Sequence, residues 1–226
     1  MKYLAFAADY DGTLAIHGSI RPELIDALTQ LRDSGRKLIL VTGREMADLK
    51  RCCPQYTLFD RIVLENGALL YQPRSEELRL LTHRPSELFI RLLRQRHVHP
   101  LSVGHCIVAT QIQHEDTVAQ CIAELSGLNE PSPNYSVILN KGSVMILPMG
   151  VNKGSGLKTA LEDLKILASQ TVGMGDAEND IDLLKACGRS YAVADSTPGL
   201  IAIAQHTTRG GAHHGPLEVI RDLLLG

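Results

Sequence analysis

The chain has no tryptophan and three phenylalanines among its 226 residues, so a core has to be assembled from leucine, isoleucine, valine and alanine. It lacks a run of one charge. Twenty-three basic residues face 25 acidic ones, for a net charge of −2, and that balance offers no broad cationic footprint for a nucleic acid. No apolar run approaches the roughly 20 residues of a membrane-spanning helix. The apolar start at residues 3–8 is too short for a signal segment before Asp9 interrupts it. Cysteine is sparse as well. Five cysteines are an odd number, far from the density of a disulfide scaffold, and they read as reduced thiols of a cytoplasmic protein. The adjacent Cys52 and Cys53 lack any metal or redox spacing and read as small buried hydrophobes.

What is present is an alternation of short apolar runs with amphipathic stretches. Residues 3–8, 37–41 and 61–64 read as buried strands. Between the first two, Pro22 opens a helical pattern of Leu24, Ile25, Leu28 and Leu31 that Gly35 stops. Residues 44–53 read as a short helix, and Asn66-Gly67 marks a turn into residues 68–71. Buried runs alternating with helices predict an α/β fold with a parallel sheet covered on both faces. The middle differs: strands over 78–82 and 102–110, helices over 86–96 and 115–125, and a hairpin of 135–139 with 143–147 predict a small α+β unit with one open sheet face. The α/β rhythm resumes with a helix over 153–164, a strand over 170–174, a helix over 178–186 and a strand over 190–193. The expected organisation is a discontinuous core of residues 1–82 and 150–226 with an inserted domain at 83–149.

Four loops carry chemistry. Asp9 and Asp11 follow the first strand, where alternate residues point the same way, at the carboxyl edge where open α/β sheets bind ligands. Gly12 allows a tight turn after them. Thr42-Gly43-Arg44 ends the second strand with a hydroxyl, a flexible backbone and a helix start, the makings of an anion site. Lys153 opens a helix, where the macrodipole disfavours a cation unless a phosphate or acid cluster offsets it. In the run 175–180, Asp176, Asn179 and Asp180 stand at i, i+3 and i+4, which puts them on one face if a helix starts there. Their oxygens are hard ligands suited to magnesium, with the alternative that Asp180 instead orients a ligand or Lys153 from behind such a site. Arg44 and Asn66 adjoin core strand ends and are expected to face the same edge.

Together these stretches resemble the haloacid dehalogenase superfamily, in particular its Cof-like or sucrose-phosphatase-like phosphatases with a C2-type cap. DYDGTL at 9–14, VTGR at 41–44, Lys153 and GDAEND at 175–180 match its four motifs in order, and ENGA at 65–68 resembles the loop before the cap in that branch. The resemblance implies a Rossmann-like parallel-sheet core with an inserted α+β cap domain, and a phosphatase of small phosphorylated metabolites such as a sugar phosphate or phosphoglycolate. Carried over by position, it implies Asp9 as nucleophile, forming an aspartyl-phosphate, and Asp11 as general acid and base. It implies Mg2+ held by Asp9, the backbone carbonyl of Asp11 and Asp176, with Asp180 and Asn179 supporting that site or the phosphate. Thr42 and Lys153 are then the phosphoryl ligands, with Gly43, Arg44 and Asn66 beside them. Two alternatives stay open at this point: a phosphomutase of the same superfamily, and a receiver-like signalling module that is phosphorylated without turnover. His213 and His214, in a glycine-rich stretch, are expected to be flexible loop residues. Neither a nucleic acid nor a membrane is expected as a partner, and the sequence is silent on oligomeric state.

Overall fold

The computed structural model describes residues 2–127, 134–140 and 142–225. Two compact units are present, Met1–Arg79 with Asn152–Gly226, and Leu80–Val151.

In the first unit, β1 (Ala5–Asp9) leads through α1 (Pro22–Asp33) to β2 (Lys37–Val41), then through α2 (Met46–Cys52) to β3 (Arg61–Leu64), β4 (Leu69–Gln72) and β5 (Glu77–Leu80). Helix α1 forms as its spacing predicts. Pro22 sits in its first turn, and Leu24, Leu28 and Leu31 are buried along one stripe. Each such leucine contributes about 1.5–3 kcal/mol by leaving water.

The second unit supplies α3 (Glu87–Gln95), β6 (Ser102–Val103), β7 (Val108–Gln111), α4 (Glu115–Gly127), β8 (Tyr135–Asn140) and β9 (Ser143–Pro148). Its four-stranded sheet runs in the order β6-β7-β9-β8, with antiparallel neighbours throughout. Alternate residues Val108, Val144 and Ile146 pack with Phe89 and Leu93 of α3 and Val118, Cys121 and Leu125 of α4. On the other face Ala109 and Met145 stay partly exposed while Leu147 is buried, and at the edge strand β8 Val137 and Leu139, which register places beside Ile146 and Val144, are exposed. The single strand expected over 102–110 is two short strands, because the chain reverses where Gly104 N–H donates to the Ile107 carbonyl at 2.9 Å.

The chain then returns to the first unit through α5 (Lys153–Leu164), β10 (Thr171–Gly175), α6 (Ile181–Lys185), β11 (Arg189–Ala192), α7 (Pro198–Ile203), β12 (His206–Thr207) and α8 (His214–Leu225). The eight-stranded sheet has the order β12-β11-β10-β1-β2-β3-β4-β5. The strands from β12 to β3 are parallel, and β4 pairs with β3 antiparallel. This is the α/β parallel-sheet core that the sequence predicts. Strand β1 lies at its centre, between β2 and β10, so the topology reverses direction there. That switch point opens a crevice beyond the carboxyl ends of β1 and β10. No helix among the described residues is long and apolar enough to cross a membrane.

Candidate active site

Sheet register brings the sequence motifs to one edge. Asp9 pairs with Val41, which precedes Thr42, and Ala8 pairs with Met174, which stands two residues before Asp176. Across β1, these neighbours make the crevice acidic on one side and hydroxyl-bearing on the other.

The acidic side is buried. Ligand atoms of Asp9, Asp176 and Asp180 all lie within 4.8 Å of one another. Lys153, 2 % exposed, donates from Nζ to Asp9 Oδ1 at 2.5 Å and to Asp180 Oδ1 at 2.6 Å. Its position follows from local sequence. Asn152 caps α5 by accepting from Ser155 N–H, and Ser155 Oγ accepts in return from Asn152 N–H, so the first helical residue is aimed into the crevice. Two glycine sites make room. A side chain on Gly67 would strike the Asn152 backbone, and one on Gly175 would strike Asp180.

Three carboxylates against one ammonium leave two formal negative charges in a water-poor site. Burial, then the charge of Asp180, pushes the Asp9 carboxyl well above the usual carboxylate range, against the pull of Lys153. Burial would lower the Lys153 ammonium, but the charges of Asp180 and Asp9 outweigh it and keep the lysine protonated. A divalent cation fits this donor set. Hard oxygen donors converge, and the excess negative charge matches it.

Asp180 does not project from one helix face with Asp176 and Asn179. Residues 178–180 form a 3-10 turn, and α6 starts at Ile181. Asp180 is fully buried, and its Oδ2 accepts from Asp176 N–H at 3.0 Å and Ala177 N–H at 3.1 Å. It therefore folds its own loop and holds Lys153 with its other oxygen.

The opposite side of the crevice is neutral. Thr42 is 1 % exposed and accepts at Oγ1 from Arg44 N–H at 3.1 Å. Asn66 N–H donates to the Thr42 carbonyl at 3.0 Å, and Glu65 N–H to the Arg44 carbonyl at 3.1 Å. Gly43 lies against the Asn66 amide, where any side chain would be tight. Asn66, buried with a φ of 53°, accepts from Asn179 Nδ2 at 3.3 Å. The buried Asn179 Oδ1 has no protein partner. Thr42, Gly43, Asn66 and Asn179 are thus contiguous, as expected.

The side chains of Asp11 and Arg44 pair with each other. Strand β1 ends at Asp9, and Asp11 already belongs to a turn that bridges to Ala15. The alternation that would point the two acids the same way stops at the strand end, and the Asp11 side chain is absent from the three-carboxylate cluster. Both its oxygens accept from Arg44, at 2.6 Å and 2.7 Å. That hydrogen bonding raises the Arg44 guanidinium, and burial opposes it. Arg44, expected beside the phosphate ligands, gives its third nitrogen to Asp48.

Sequence reasoning missed three contributors. Thr13, fully buried, reaches Asp176 Oδ1 at 3.5 Å; its hydroxyl two residues after Asp11 was the available signal. Asp48, four residues after Arg44, was visible as an i, i+4 ion pair. His213 is no flexible loop residue. It is 2 % exposed, and its N–H donates to the Thr13 carbonyl at 2.9 Å, tying the last loop to the first. Glycines around it disguised that packing.

The model of the haloacid dehalogenase-like hydrolases matches the chain in two overlapping stretches, residues 6–119 and 103–220. A phosphoglycolate phosphatase of Methanothermobacter thermautotrophicus is 26% identical, over 97% of this chain and 98% of its own. Phosphoglycolate phosphatase 2 of Saccharolobus solfataricus is 28% identical, over 97% of this chain and 92% of its own. Among solved structures, the haloacid dehalogenase superfamily phosphatase BT1666 of Bacteroides thetaiotaomicron superposes with a TM-score of 0.79 at 20% identity, covering 99% of this chain and 96% of that one. A subclass IIB sugar phosphatase of the superfamily superposes with a TM-score of 0.78 at 17% identity, covering 98% and 99%. At those identities the structural likeness is one of fold. With the family model spanning nearly the whole chain, the protein belongs to the haloacid dehalogenase-like hydrolases.

Proposed function

We propose that the protein is a magnesium-dependent phosphatase of a small phosphorylated metabolite, acting through a phosphorylated Asp9. The observation that carries this reading is the Lys153 ammonium shared between Asp9 and Asp180 inside a buried three-carboxylate cluster. A lone buried carboxylate would repel a phosphate monoester. One beside a fixed ammonium and a cation site can approach it.

In the proposed first step, an Asp9 oxygen bonds to phosphorus as the bond from phosphorus to the leaving oxygen breaks. Asp11 gives its proton to that oxygen. Water then attacks the phosphorus of the aspartyl-phosphate, Asp11 takes the proton, and Asp9 is regenerated as phosphate departs. Lys153 and Thr42 hold phosphoryl oxygens, with the ammonium matching charge that builds on the transferring group. Asn66 and Asn179 present the neutral wall beside them, and Thr13 and Asp180 keep the loop of Asp176 in place. Bound between Asp9, Asp176 and the Asp11 carbonyl, Mg2+ would supply the charge neutralisation that lets two anions meet. Residues 83–149 act as the cap and supply substrate selectivity. The five free thiols suit a reducing compartment such as the cytoplasm.

The named relatives direct the substrate assignment toward phosphoglycolate or a sugar phosphate. A panel of such compounds, assayed by released phosphate with Mg2+ present, tests it. Turnover of one or a few small alkyl phosphates is expected. Transfer to a second hydroxyl without phosphate release, or a stable phosphoprotein that never turns over, overturns the reading.

A further inference from the structure

Arg44 is held from three sides. Its Nε and Nη2 form a fork onto Asp11, and its Nη1 donates to Asp48 in the first turn of α2. The guanidinium carbon lies 5.4 Å from the centroid of the Tyr10 ring. That ring is fixed in turn, its hydroxyl donating to the carbonyls of Gly18 at 2.9 Å and Cys52 at 3.2 Å. All three guanidinium nitrogens donate to carboxylates, Nε and Nη2 to Asp11 and Nη1 to Asp48, so the hydrogen bonds the side chain makes are to acids.

The Asp11 side chain is 42% exposed and sits on a turn. Such a carboxyl group would otherwise sweep through solvent, and a proton donor must point at one oxygen. A planar guanidinium against the carboxyl group fixes its plane and direction, which a point-charge ammonium cannot do; when Asp11 carries the proton to be donated, one of the two contacts is given up and the other holds the plane. We infer that Arg44, anchored by Asp48, is the positioning residue that aims Asp11, and that Asp48 acts on the reaction through Arg44 alone. The inference rests on the proposed role of Asp11 as the acid that protonates the leaving oxygen.

The chemistry supplies a test that a merely structural role would not pass. An alkyl leaving oxygen needs the Asp11 proton as its bond to phosphorus breaks. A p-nitrophenolate leaves without it. The ratio kcat/KM reports events up to the first irreversible step, here the phosphorylation of Asp9, and so isolates the acid role from later water attack. The full chain with Mg2+ is compared with its Asp48→Asn, Asp48→Glu and Arg44→Lys variants on 2-phosphoglycolate and p-nitrophenyl phosphate, with thermal melts alongside. Asp48→Asn is expected to lower kcat/KM for phosphoglycolate roughly tenfold, the scale of a modest misplacement, and that for p-nitrophenyl phosphate by less than about twofold. Arg44→Lys, which keeps the charge and loses the fork, is expected to show the same discrimination, and Asp48→Glu to restore most of the loss. Equal losses on the two substrates, or none on either, overturn the inference while the phosphatase reading stands. No phosphate release from either substrate by the unmodified protein overturns both. Should Asp48→Asn fail to fold, Arg44→Lys decides the matter by the same ratio.

Discussion

Asp9 and Asp11 stand two residues apart and are treated in opposite ways. Asp9 is buried, ends a strand, and meets the compact ammonium of Lys153. Asp11 is half-exposed, belongs to a turn, and meets the flat fork of Arg44. The lysine serves Asp9 and Asp180 from one nitrogen, whereas Arg44 serves Asp11 and Asp48 from separate nitrogens. A guanidinium binds in one plane and gives direction. On the proposed roles, Asp9 as nucleophile needs its charge managed in a buried site and Asp11 as proton donor needs aim, and the cation at each acid suits that difference.

The comparison breaks most sharply at Asp9, the proposed nucleophile. Asp9→Asn keeps the shape and removes the attacking oxygen, so phosphate release is expected to fall at least about a thousandfold. The melting temperature should hold or rise, because an amide does not bear the burial and repulsion that raise the Asp9 carboxyl. Residual turnover within tenfold of the unmodified protein would assign the attack to another group.

Lys153→Met comes next. Asp9 and Asp180 would be left buried without their cation, a change that costs about 3–5 kcal/mol in comparable sites. Urea unfolding should show that loss, together with a fall in turnover of roughly a hundredfold. Arg44→Met tests the other half. Its pair lies near solvent, so its stability effect should stay under about 1 kcal/mol. Equal destabilisation by the two variants would erase the contrast between a buried and a half-exposed pair.

Titration gives a third, smaller effect. Burial and the charge of Asp180 raise the Asp9 carboxyl, so a proton competes with a cation for it. Below that raised value the proton must be displaced before the cation binds. Apparent Mg2+ affinity, measured by calorimetry from pH 8 down to pH 5, is therefore expected to weaken as pH falls, by up to about tenfold per unit for one proton, and to level off at higher pH. A flat profile would mean that Asp9 is fully ionised without the cation.

The two halves of the molecule were unequally legible in the sequence. Strands β1, β2 and β10 are buried on both faces, so they read as short unbroken apolar runs, and the acids and hydroxyl at their ends followed from sheet direction alone. The second unit was legible in outline. Its 102–110 stretch was not, since two residues of strand before the turn and four after it leave too little alternation to detect the reversal. Within the site, what escaped were the long-range partners of short loops. Asp180 turns back onto its own backbone, Arg44 is claimed by Asp11 from 33 residues away, and His213 docks its backbone on Thr13. Local spacing names the residue that a loop carries. It does not name the neighbour that will satisfy that residue.

Arg51 sharpens the comparison at its weakest end. It pairs with Asp48 at 2.5 Å, so the line from Arg51 through Asp48 and Arg44 to Asp11 is continuous on paper. Yet its side chain is 78% exposed, where ordering a long side chain and screening by salt offset most of an ion pair. Asp48 also keeps its grip on Arg44 through its other oxygen. Arg51→Gln is therefore expected to move stability by less than about 0.5 kcal/mol and to leave kcat/KM within about twofold on both aryl and alkyl phosphates. If Arg51→Gln instead reproduced the leaving-group discrimination expected of Asp48→Asn, the anchor of Arg44 would extend to the surface. Asp11 would then be aimed from a residue that solvent ions can reach, and its activity on alkyl phosphates would fall with added salt.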